Sequence, residues 1–543
     1  MPPEPYGDGG AVTAAPAAAT EWLPRIAGYR RPRLLQDDRA LLGALALLSL
    51  LLRAPNLGRA YWIDEGITIG ISAHPLAQLP RLLRQDGSPP LFYVLLHFWM
   101  RIFGRSEVAT HLLPLTISLL AVPLGFWAGR ELFGRRAGLA AAALLATNPF
   151  LNWYSTETRM YTLVVVLALV AVTFAWRAYR DRRPADVVAA VVAYTALMYT
   201  HDWSLYLTGA TALILLWRAW VARDRTRMKW VIWSGVAVFV LWLPWVPSFI
   251  YQARHTAAPW AVQPGIGDFF ADPATVLGGT LGFLAVPALA AGAWLCRDRV
   301  DPRLRQPAGV LAAIALSTTV VGFVGAMIEP SWTARYLAVI VAPYLLATAG
   351  MLATTLRGRV VLAGVCSALT LWSLVGTLLP NPNSRYAKDN MAAVAAAASP
   401  YLAPGDLVVV DQTEQLAVAR RYLPADLAYA TPTGPVSDPT VVDWRNLVSR
   451  LERATPCAAL APSVDTMAVG SYVLEIIPAK HLGATGSAWS RAVTDQVTMV
   501  DLFLSDDPAL RFVTTFDEGL RPRPYAPVEG LLFRKTASTP SCG

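Results

Sequence analysis

The stretch ALLGALALLSLLLRAPNLGRAYWIDEGITI, residues 40–69, decides the fold class. It begins with an uninterrupted apolar run and ends with the adjacent carboxylates Asp64 and Glu65. A helix of about 20 apolar residues is needed to cross a hydrocarbon core of roughly 30 Å. Arginines precede the run and no convincing small-residue cleavage site follows it, so we expect an uncleaved first membrane span rather than a signal peptide.

The composition of the whole chain agrees with a membrane protein. Of its 543 residues, 55% are hydrophobic and only 15% are charged, and the mean hydropathy is +0.41. Soluble proteins carry about 25% charged residues. The net charge of +9 comes from short arginine clusters between apolar runs, with no basic surface interleaved with exposed aromatics. This pattern indicates membrane topology and excludes nucleic acid as a partner.

Apolar segments that could cross a bilayer recur along the chain and predict about eleven spans. They lie near 39–56, 109–129, 137–153, 160–177, 185–200, 204–221, 231–250, 273–296, 308–328, 335–355 and 360–379. The loops alternate between arginine-rich and arginine-poor, and the positive-inside rule assigns the arginine-rich set to the cytoplasm. We therefore expect a multi-pass protein of the plasma membrane, with the arginine-poor loops and the C-terminal region extracytoplasmic.

The chain divides into three predicted parts. Residues 1–38 are rich in Pro, Ala and Gly without apolar periodicity, which predicts a disordered cytoplasmic tail. Residues 39–380 form the transmembrane domain. Residues 381–543 form a soluble domain large enough to bury a small core.

The predicted soluble domain alternates strand-like runs with helical ones, which indicates an α/β fold. The runs are LVVVD (407–411), the helical EQLAVARRYL (414–423), WRNLVSRLERA (444–454), YVLEII (472–477), VTMVDLFL (497–504), RFVTTF (511–516) and VEGLLFRK (528–535). Cys457 and Cys542 both lie in this domain on the oxidising side, so they could form a disulfide. The sequence alone leaves the pairing open. Cys296 and Cys366 lie in or beside spans and are expected to be packing residues.

The first arginine-poor loop contains an adjacent carboxylate pair and a third acidic residue further along. YWIDEGITI (61–69) presents Asp64 and Glu65 just beyond the first span, and DGSPPLFYVLLHFW (86–99) adds Asp86 and His97 beside an apolar stretch. Asp64 could simply cap a short helix, with Glu65 in its first turn. A carboxylate pair at the edge of a bilayer is costly unless it is paired or used, which favours a functional site.

Three further arginine-poor loops each present charged or titratable groups. WYSTETRMYTL (153–163) contains Glu157, Arg159 and Tyr161; an arginine there could be a topological anchor, but its neighbours suit an anionic ligand better. The other two loops are YTHDWSLY (199–206), with His201 and Asp202, and EPSWTARYL (329–337), with Arg335. A single histidine would usually be structural, whereas four such loops at one membrane face predict a shared site.

These strings resemble the membrane glycosyltransferases of the GT-C class, in the group similar to protein O-mannosyltransferases and lipid A aminoarabinose transferases. The resemblance spans about residues 40–380. It rests on IDE (63–65), DGSPPLFY (86–93) with LLHFWMRIFGRSE (95–107), LFGRRAGLAAAALLATNPFLNWYSTETRMY (132–161), YTH (199–201) and ARYL (334–337). The chain departs from the group's pattern at Ser88, where a histidine is usual, and at Thr156 and Thr158. These departures affect the expected identity of the acceptor more than the expected type of reaction.

The resemblance implies an α-helical polytopic membrane protein of GT-C fold, with about eleven transmembrane helices and a small C-terminal extracytoplasmic α/β domain. It also implies a sugar donor that is carried on a polyprenyl phosphate. By position, Asp64 corresponds to the catalytic carboxylate and would accept the proton of the acceptor hydroxyl while the anomeric carbon inverts. Glu65 is the second predicted catalytic residue.

The remaining predicted site residues fall into two groups. Arg159 and Arg335 would stabilise the departing phosphate, with His201 and Tyr161 beside them. The predicted substrate-binding residues are Asp86, His97, Glu157 and Asp202. Asp64, Glu65 and Asp86 could hold a divalent metal, but no dense carboxylate cluster requires one, so we expect neither a metal nor another cofactor.

The predicted function is transfer of a sugar, mannose before others, from a polyprenyl-phosphate donor to an envelope glycan or lipoglycan. An arabinofuranosyltransferase that uses polyprenyl-phosphoarabinose is the leading alternative. A lipid or sugar transporter is disfavoured because transporters place ionisable groups at mid-bilayer, where the proposed spans carry almost none. A scaffold with an external domain would leave Asp64, Arg159, His201 and Arg335 unexplained. The expected partners are the lipid donor, the glycan acceptor and the surrounding lipids.

Overall fold

A computed structural model describes residues 38–278, 302–353, 361–371, 388–479, 486–520 and 526–542. These ranges cover most of the predicted transmembrane domain and nearly all of the predicted soluble domain. The predicted N-terminal tail lies outside the described residues except for Asp38, as do Cys296 and parts of the predicted spans 273–296 and 360–379.

The first part of the chain is helical. Its helices are α1 Asp38–Arg53, α2 Ile63–Ala73, α3 Leu79–Asp86, α4 Leu91–Phe103, α5 Glu107–Phe133, α6 Arg135–Thr147, α7 Pro149–Tyr154, α8 Tyr161–Asp181, α9 Pro184–Met198, α10 Ser204–Val221, α11 Arg225–Trp242, α12 Val246–His255, α13 Ile266–Leu277, α14 Pro302–Ile328, α15 Ala338–Leu352 and α16 Val361–Leu371.

Six helical segments in the described ranges are long and apolar enough to cross a membrane. They are Glu107–Phe133, Tyr161–Asp181, Ser204–Val221, Arg225–His255, Gln306–Ile328 and Ala334–Leu352. The multi-pass character predicted from the sequence is thereby supported. Helices α1, α6 and α9 coincide with predicted spans but have only 16, 13 and 15 residues. The count of about eleven spans stays a prediction.

Small residues allow the helices of the bundle to approach closely. A Cβ atom at Gly129 in α5 would lie 2.7 Å from the carbonyl oxygen of Ala137, and one at Gly138 in α6 would lie 2.6 Å from that of Phe126. Such small-residue contacts replace the hydrophobic driving force that helices lack in lipid. Helix α6 therefore packs along α5 with its backbone in near contact.

Arg53, at the end of α1, joins four helices at one end of the bundle. Its buried guanidinium donates to Ser118 Oγ at 2.6 Å in α5, to the carbonyl of Leu145 at 2.9 Å in α6 and to Asn152 Oδ1 at 3.0 Å in α7. Buried polar groups persist when they are hydrogen-bonded. This junction fixes the end of the bundle from which the loop before α8 emerges.

The C-terminal part is an α/β domain, which we call the sheet domain (388–542). Its helices are α17 Met391–Ala398, α18 Leu416–Tyr422, α19 Leu447–Arg453, α20 Pro456–Ala459, α21 Ala461–Asp465 and α22 Ala488–Asp506. Its strands are β1 Leu407–Val410, β2 Ala428–Thr431, β3 Gly434–Pro435, β4 Tyr472–Pro478, β5 Leu510–Phe516 and β6 Val528–Lys535, in the order β3-β2-β1-β4-β6-β5. Strand β1 pairs in parallel with β2 and β4, and β6 pairs antiparallel with β4 and β5.

Most of the runs expected in this domain form the elements that their patterns suggest. VTMVDLFL lies in helix α22, where Val493, Val500 and Leu504 repeat at helical spacing and are buried. Cys457 and Cys542 form a disulfide, which ties α20 to the chain terminus. Cys366 in α16 is a free, half-buried cysteine.

The sheet domain packs directly on α2. A Cβ atom at Gly70 would lie 1.9 Å from the carbonyl oxygen of Thr440, and one at Gly66 would lie 2.9 Å from the backbone nitrogen of Val418. The absence of side chains at these two positions allows the backbone of the sheet domain to reach the helix. The helix that follows the acidic pair is therefore held between the bundle and the sheet domain.

Candidate functional site

Helix α2 presents the acidic pair in its first turn. Its N-cap is Trp62, whose backbone is extended and whose side chain makes no capping bond, so Asp64 and Glu65 lie inside the helix. The interpretation of Asp64 as a capping residue is therefore wrong. Both carboxylates are still favourably placed, because anions are stabilised near a helix N-terminus.

Asp64 faces two arginines from different parts of the chain. Its Oδ2 lies 3.4 Å from Arg335 Nη1 and 3.9 Å from Arg159 Nε. The Asp64 side chain is 17% exposed, and those of Arg159 and Arg335 are 11% and 17% exposed. A carboxylate and two guanidinium groups thus share a site in which each side chain keeps a small exposed fraction.

Arg159 is held in place by neutral groups of α2 and α4. Its Nη1 donates to Thr68 Oγ1 at 2.8 Å and to the Tyr93 hydroxyl at 3.4 Å. Tyr93 in turn donates to Asp86 Oδ2 at 2.8 Å. Asp86 therefore acts on Arg159 through Tyr93, which positions the guanidinium beside Asp64.

Glu65 points into the protein, away from this partly open site. It is buried, and its Oε1 accepts from the Thr158 backbone at 2.7 Å and lies 2.7 Å from His111 Nε2. His111 Nδ1 lies 2.7 Å from the Leu57 carbonyl oxygen, so the imidazole ring bridges Glu65 and the backbone that precedes α2. Burial raises the pKa of Glu65, but the charge and hydrogen bond of His111 outweigh it and lower the pKa to about 2.

Glu157 forms a second buried ion pair in the loop before α8. Its Oε2 contacts Lys388 Nζ, and the two side chains are 0% and 6% exposed. The ammonium group also lies 4.9 Å from the ring centre of Trp153 and 5.5 Å from that of Trp62. This environment suits a desolvated cation, because aromatic faces attract positive charge.

A cavity of about 290 Å³ opens beside Arg159. His201 and Tyr336 line one wall, with their ring centres 4.8 Å apart, and Tyr161 lies behind His201 at 5.9 Å. His201 Nδ1 accepts from the Trp203 backbone at 3.1 Å, which leaves a proton on Nε2. Burial, with the charges of Arg159 and Arg335, lowers the pKa of His201 to about 3, so the ring is neutral.

Two acceptor groups line the same cavity. Asp202 Oδ1 and Gln252 Oε1 are buried and have no hydrogen-bond partner among the described residues. Gln252 uses its amide nitrogen for the carbonyl oxygens of Leu83 and Ser88, which turns its oxygen toward the space. Burial raises the pKa of Asp202 to about 7. The cavity therefore offers acceptors to a ligand that supplies hydrogen-bond donors.

The structure brings nine of the ten predicted site residues into one connected region. These are Asp64, Glu65, Asp86, Glu157, Arg159, Tyr161, His201, Asp202 and Arg335. His97 lies apart, buried between α2 and α4 with its Nδ1 2.9 Å from the Ser72 carbonyl oxygen, and within the described residues it makes no hydrogen bond or ion pair with the other nine. The positions of the nine residues and of His97 do not test the roles that were predicted for them.

Three residues of this region were not predicted from the sequence: Lys388, His111 and Tyr93. Lys388 is one of only four lysines in the chain, and this rarity was an available signal. His111 lies inside an apolar run, where an ionisable residue is usually functional or paired. Within the described ranges, no group of three or more His, Cys, Asp or Glu side chains could hold a metal ion. The expectation of no metal stays a prediction.

Comparison with known proteins agrees with the resemblance found in the sequence. Residues 87–247 match the family model described as dolichyl-phosphate-mannose-protein mannosyltransferase. The fold is similar to that of ArnT from Cupriavidus metallidurans in the apo state, with 15% identity, a TM-score of 0.59 and coverage of 92% of this chain and 98% of that one.

The same protein bound to undecaprenyl phosphate gives 16% identity, a TM-score of 0.57 and the same coverage. At this identity the likeness shows the fold. A comparison with curated proteins finds no match. Together, the family-model match over residues 87–247 and the similar fold agree with the resemblance to the GT-C glycosyltransferases.

Proposed function

We propose that this chain, related by family match and fold to the GT-C glycosyltransferases, is an inverting transferase of the outer face of the plasma membrane. It moves a sugar, mannose before others, from a polyprenyl-phosphate donor to an envelope glycan or lipoglycan. The observation that supports this most is the contact of Asp64 with both Arg159 and Arg335. The family match and the undecaprenyl phosphate bound to the structurally similar ArnT support a lipid-phosphate donor.

The two arginines suit the phosphate of such a donor. Guanidinium groups bind phosphate through charge-assisted hydrogen bonds, and their stabilisation grows as negative charge builds on the leaving oxygen. Neutral His201 offers an Nε2 proton on the same side as Arg159. The polyprenyl tail would remain in the hydrocarbon beside the bundle while the phosphate meets these groups at its edge.

Asp64 serves as the base. An acceptor hydroxyl transfers its proton to the carboxylate as its oxygen bonds to the anomeric carbon of the donor, and the bond from that carbon to the phosphate oxygen breaks. The electron pair of the broken bond leaves on the lipid phosphate, which Arg159 and Arg335 hold. The phosphate is already anionic, so the leaving group requires no separate acid.

The cavity beside Arg159 is suited to the sugar ring. Its aromatic wall of His201 and Tyr336 can pack against the C–H face of a sugar, and the acceptors Asp202 and Gln252 can bind hydroxyl groups. With its raised pKa, Asp202 carries no fixed full charge near neutral pH, which favours an uncharged, hydroxyl-rich sugar. Mannose and arabinofuranose both satisfy this description.

The test uses the full chain in membranes with labelled polyprenyl-phosphomannose or polyprenyl-phosphoarabinose, followed by analysis of the envelope glycans. Label is expected in a glycan with the mannose donor, and not with Asp64→Asn. Transfer from the arabinose donor alone would establish the arabinofuranosyltransferase alternative. Movement of intact donor across the membrane without transfer to a glycan would instead establish a transporter.

A further inference from the structure

The loop Ser155–Met160, which carries Arg159, is held by three residues from two other segments. Glu65 Oε1 accepts from the backbone of Thr158 at 2.7 Å. Arg59 donates to Thr156 Oγ1 at 3.3 Å, and Lys388 binds Glu157. The first two ties come from the segment around α2, whereas the third comes from the sheet domain.

Lys388 is fixed in the sheet domain by its own backbone. Its carbonyl oxygen accepts from Ala526 at 2.8 Å, just before β6. Its neighbour Asn390 exchanges hydrogen bonds with Val528, from Nδ2 to the Val528 carbonyl at 2.8 Å and from the Val528 backbone to Oδ1 at 2.7 Å. The backbone of Lys388 is therefore fixed to the sheet. Its side chain links the sheet to the loop through the contact with Glu157.

Glu157 is linked directly to Arg159 through the backbone of the loop. The carbonyl of Glu157 accepts from the backbone of Arg159 at 2.6 Å, so the two residues belong to one tight turn. A displacement of Glu157 must therefore displace the Arg159 guanidinium relative to Asp64. A misplacement of about 1 Å at a reacting site can reduce a rate by about a hundredfold.

We propose that Lys388 is a positioning residue of the sheet domain, which by binding Glu157 sets the place of Arg159 at the lipid phosphate. The sheet domain is thus a structural part of the donor site. Glu157 acts through the turn that it shares with Arg159 and does not itself touch substrate. This inference rests on the proposed function, because it assigns Arg159 to the donor phosphate.

The test measures equilibrium binding of undecaprenyl phosphate, which carries no sugar, to the purified full chain, together with kcat and KM for transfer. Removing one partner would leave a buried charge and could prevent folding. The principal variant therefore neutralises both, as Glu157→Gln with Lys388→Met. We expect a thermal midpoint close to that of the unchanged chain, about tenfold weaker binding of undecaprenyl phosphate and a raised KM for the donor.

Two further variants separate positioning from general damage. The exchanged pair, Glu157→Lys with Lys388→Glu, restores opposite charges but places a carboxylate beside Trp153 and Trp62, and is expected to recover part of the lost binding. Arg421→Met removes another cation of the same interface, which pairs with Glu107 at 3.5 Å and not with Glu157, and is expected to bind as the unchanged chain does.

The outcomes distinguish this inference from the proposed function. Undecaprenyl phosphate binding that is unchanged in the neutralised pair overturns the positioning role, as does a loss that Arg421→Met reproduces. Failure of the unchanged chain to bind undecaprenyl phosphate overturns the proposed function, and the inference with it.

Discussion

Two groups of buried carboxylates in this molecule differ in how their charge is compensated. Around the candidate site, each of Asp64, Glu65 and Glu157 faces a cation. In the sheet domain, Asp411 follows β1 and Glu475 lies in the neighbouring strand β4, both 0% exposed, and no cation pairs with either among the described residues. The first group therefore has a basic side chain beside each carboxylate, whereas the second has none in the described part of the chain.

The pKa values of the sheet pair reflect this difference. Burial, followed by the charge of the neighbouring Glu475, raises the pKa of Asp411 well above its usual range. Burial raises the pKa of Glu475 to about 8. Two adjacent buried carboxyl groups cannot both ionise without a cation. At least one carboxyl group of the sheet pair therefore keeps its proton, whereas Asp64, Glu65 and Glu157 each lie beside a basic side chain.

The largest expected effect comes from Asp64→Asn, which removes the base but leaves a side chain of the same size beside Arg159 and Arg335. General base catalysis contributes about 10²–10⁴-fold, so we expect transfer to fall by about a thousandfold. The measurement is the kcat for labelled sugar transfer from a polyprenyl-phosphate donor. Undecaprenyl phosphate binding should persist, because both arginines remain. Unchanged transfer in a folded variant would exclude Asp64 as the base.

Glu65→Gln, one residue away, is expected to affect folding more than chemistry. It removes the anion that faces the His111 ring, and breaking a buried ion pair costs about 3–5 kcal/mol. The free energy of unfolding in detergent should fall by about 3 kcal/mol. The activity of the molecules that remain folded should fall far less than in Asp64→Asn. An equal loss of kcat in both variants would show that Glu65 takes part in the reaction. The two adjacent carboxylates would then not differ in role.

The sequence predicts much of the candidate site and of the sheet. The alternation of arginine-rich and arginine-poor loops grouped Asp64, Arg159 and Arg335 at one face before any contact was known, because topology follows from local composition. The strands β1 and β4 were also foreseeable, since each is a short run of β-branched and apolar residues. Their positions depend on nearby sequence alone.

The partners of the buried charges could not be predicted in the same way. Glu157 and Lys388 are 231 positions apart, and Glu65 and His111 are 46 apart. No local pattern states which cation will meet which carboxylate, because the pairing depends on how the domains pack. From the sequence, Glu65 and Asp64 were predicted to share a catalytic role. Only the structure distinguishes the two residues, because their side chains point in different directions.

Arg335→Gln tests the cationic side of the site. It keeps a polar side chain over Trp62 and Tyr336 but removes the charge 3.4 Å from Asp64. Loss of one such charge-stabilising donor costs about 10²–10³-fold in kcat. We expect about a hundredfold lower kcat/KM for the lipid-linked donor, with Arg335→Lys intermediate because it keeps the charge but not the planar fork. Equal activity of the Lys and Gln variants would show that charge at this position does not matter.

The smallest effect is expected in the sheet pair, through Glu475→Gln. Between the unfolded pKa of about 4.3 and the folded pKa of about 8, native Glu475 holds a proton that the unfolded chain has released. The free energy of unfolding should therefore fall as pH rises through this window, by about 1.4 kcal/mol per pH unit, and level off above it.

A neutral amide at position 475 removes this proton linkage, so the thermal midpoint of Glu475→Gln should depend less on pH between about 5 and 8. The matched control is Glu452→Gln, at an exposed position of the same domain, which should keep the slope of the unchanged chain. If the slope is the same in all three proteins, Glu475 is not protonated in the native state, and a cation must reach the sheet pair as cations reach Asp64 and Glu65.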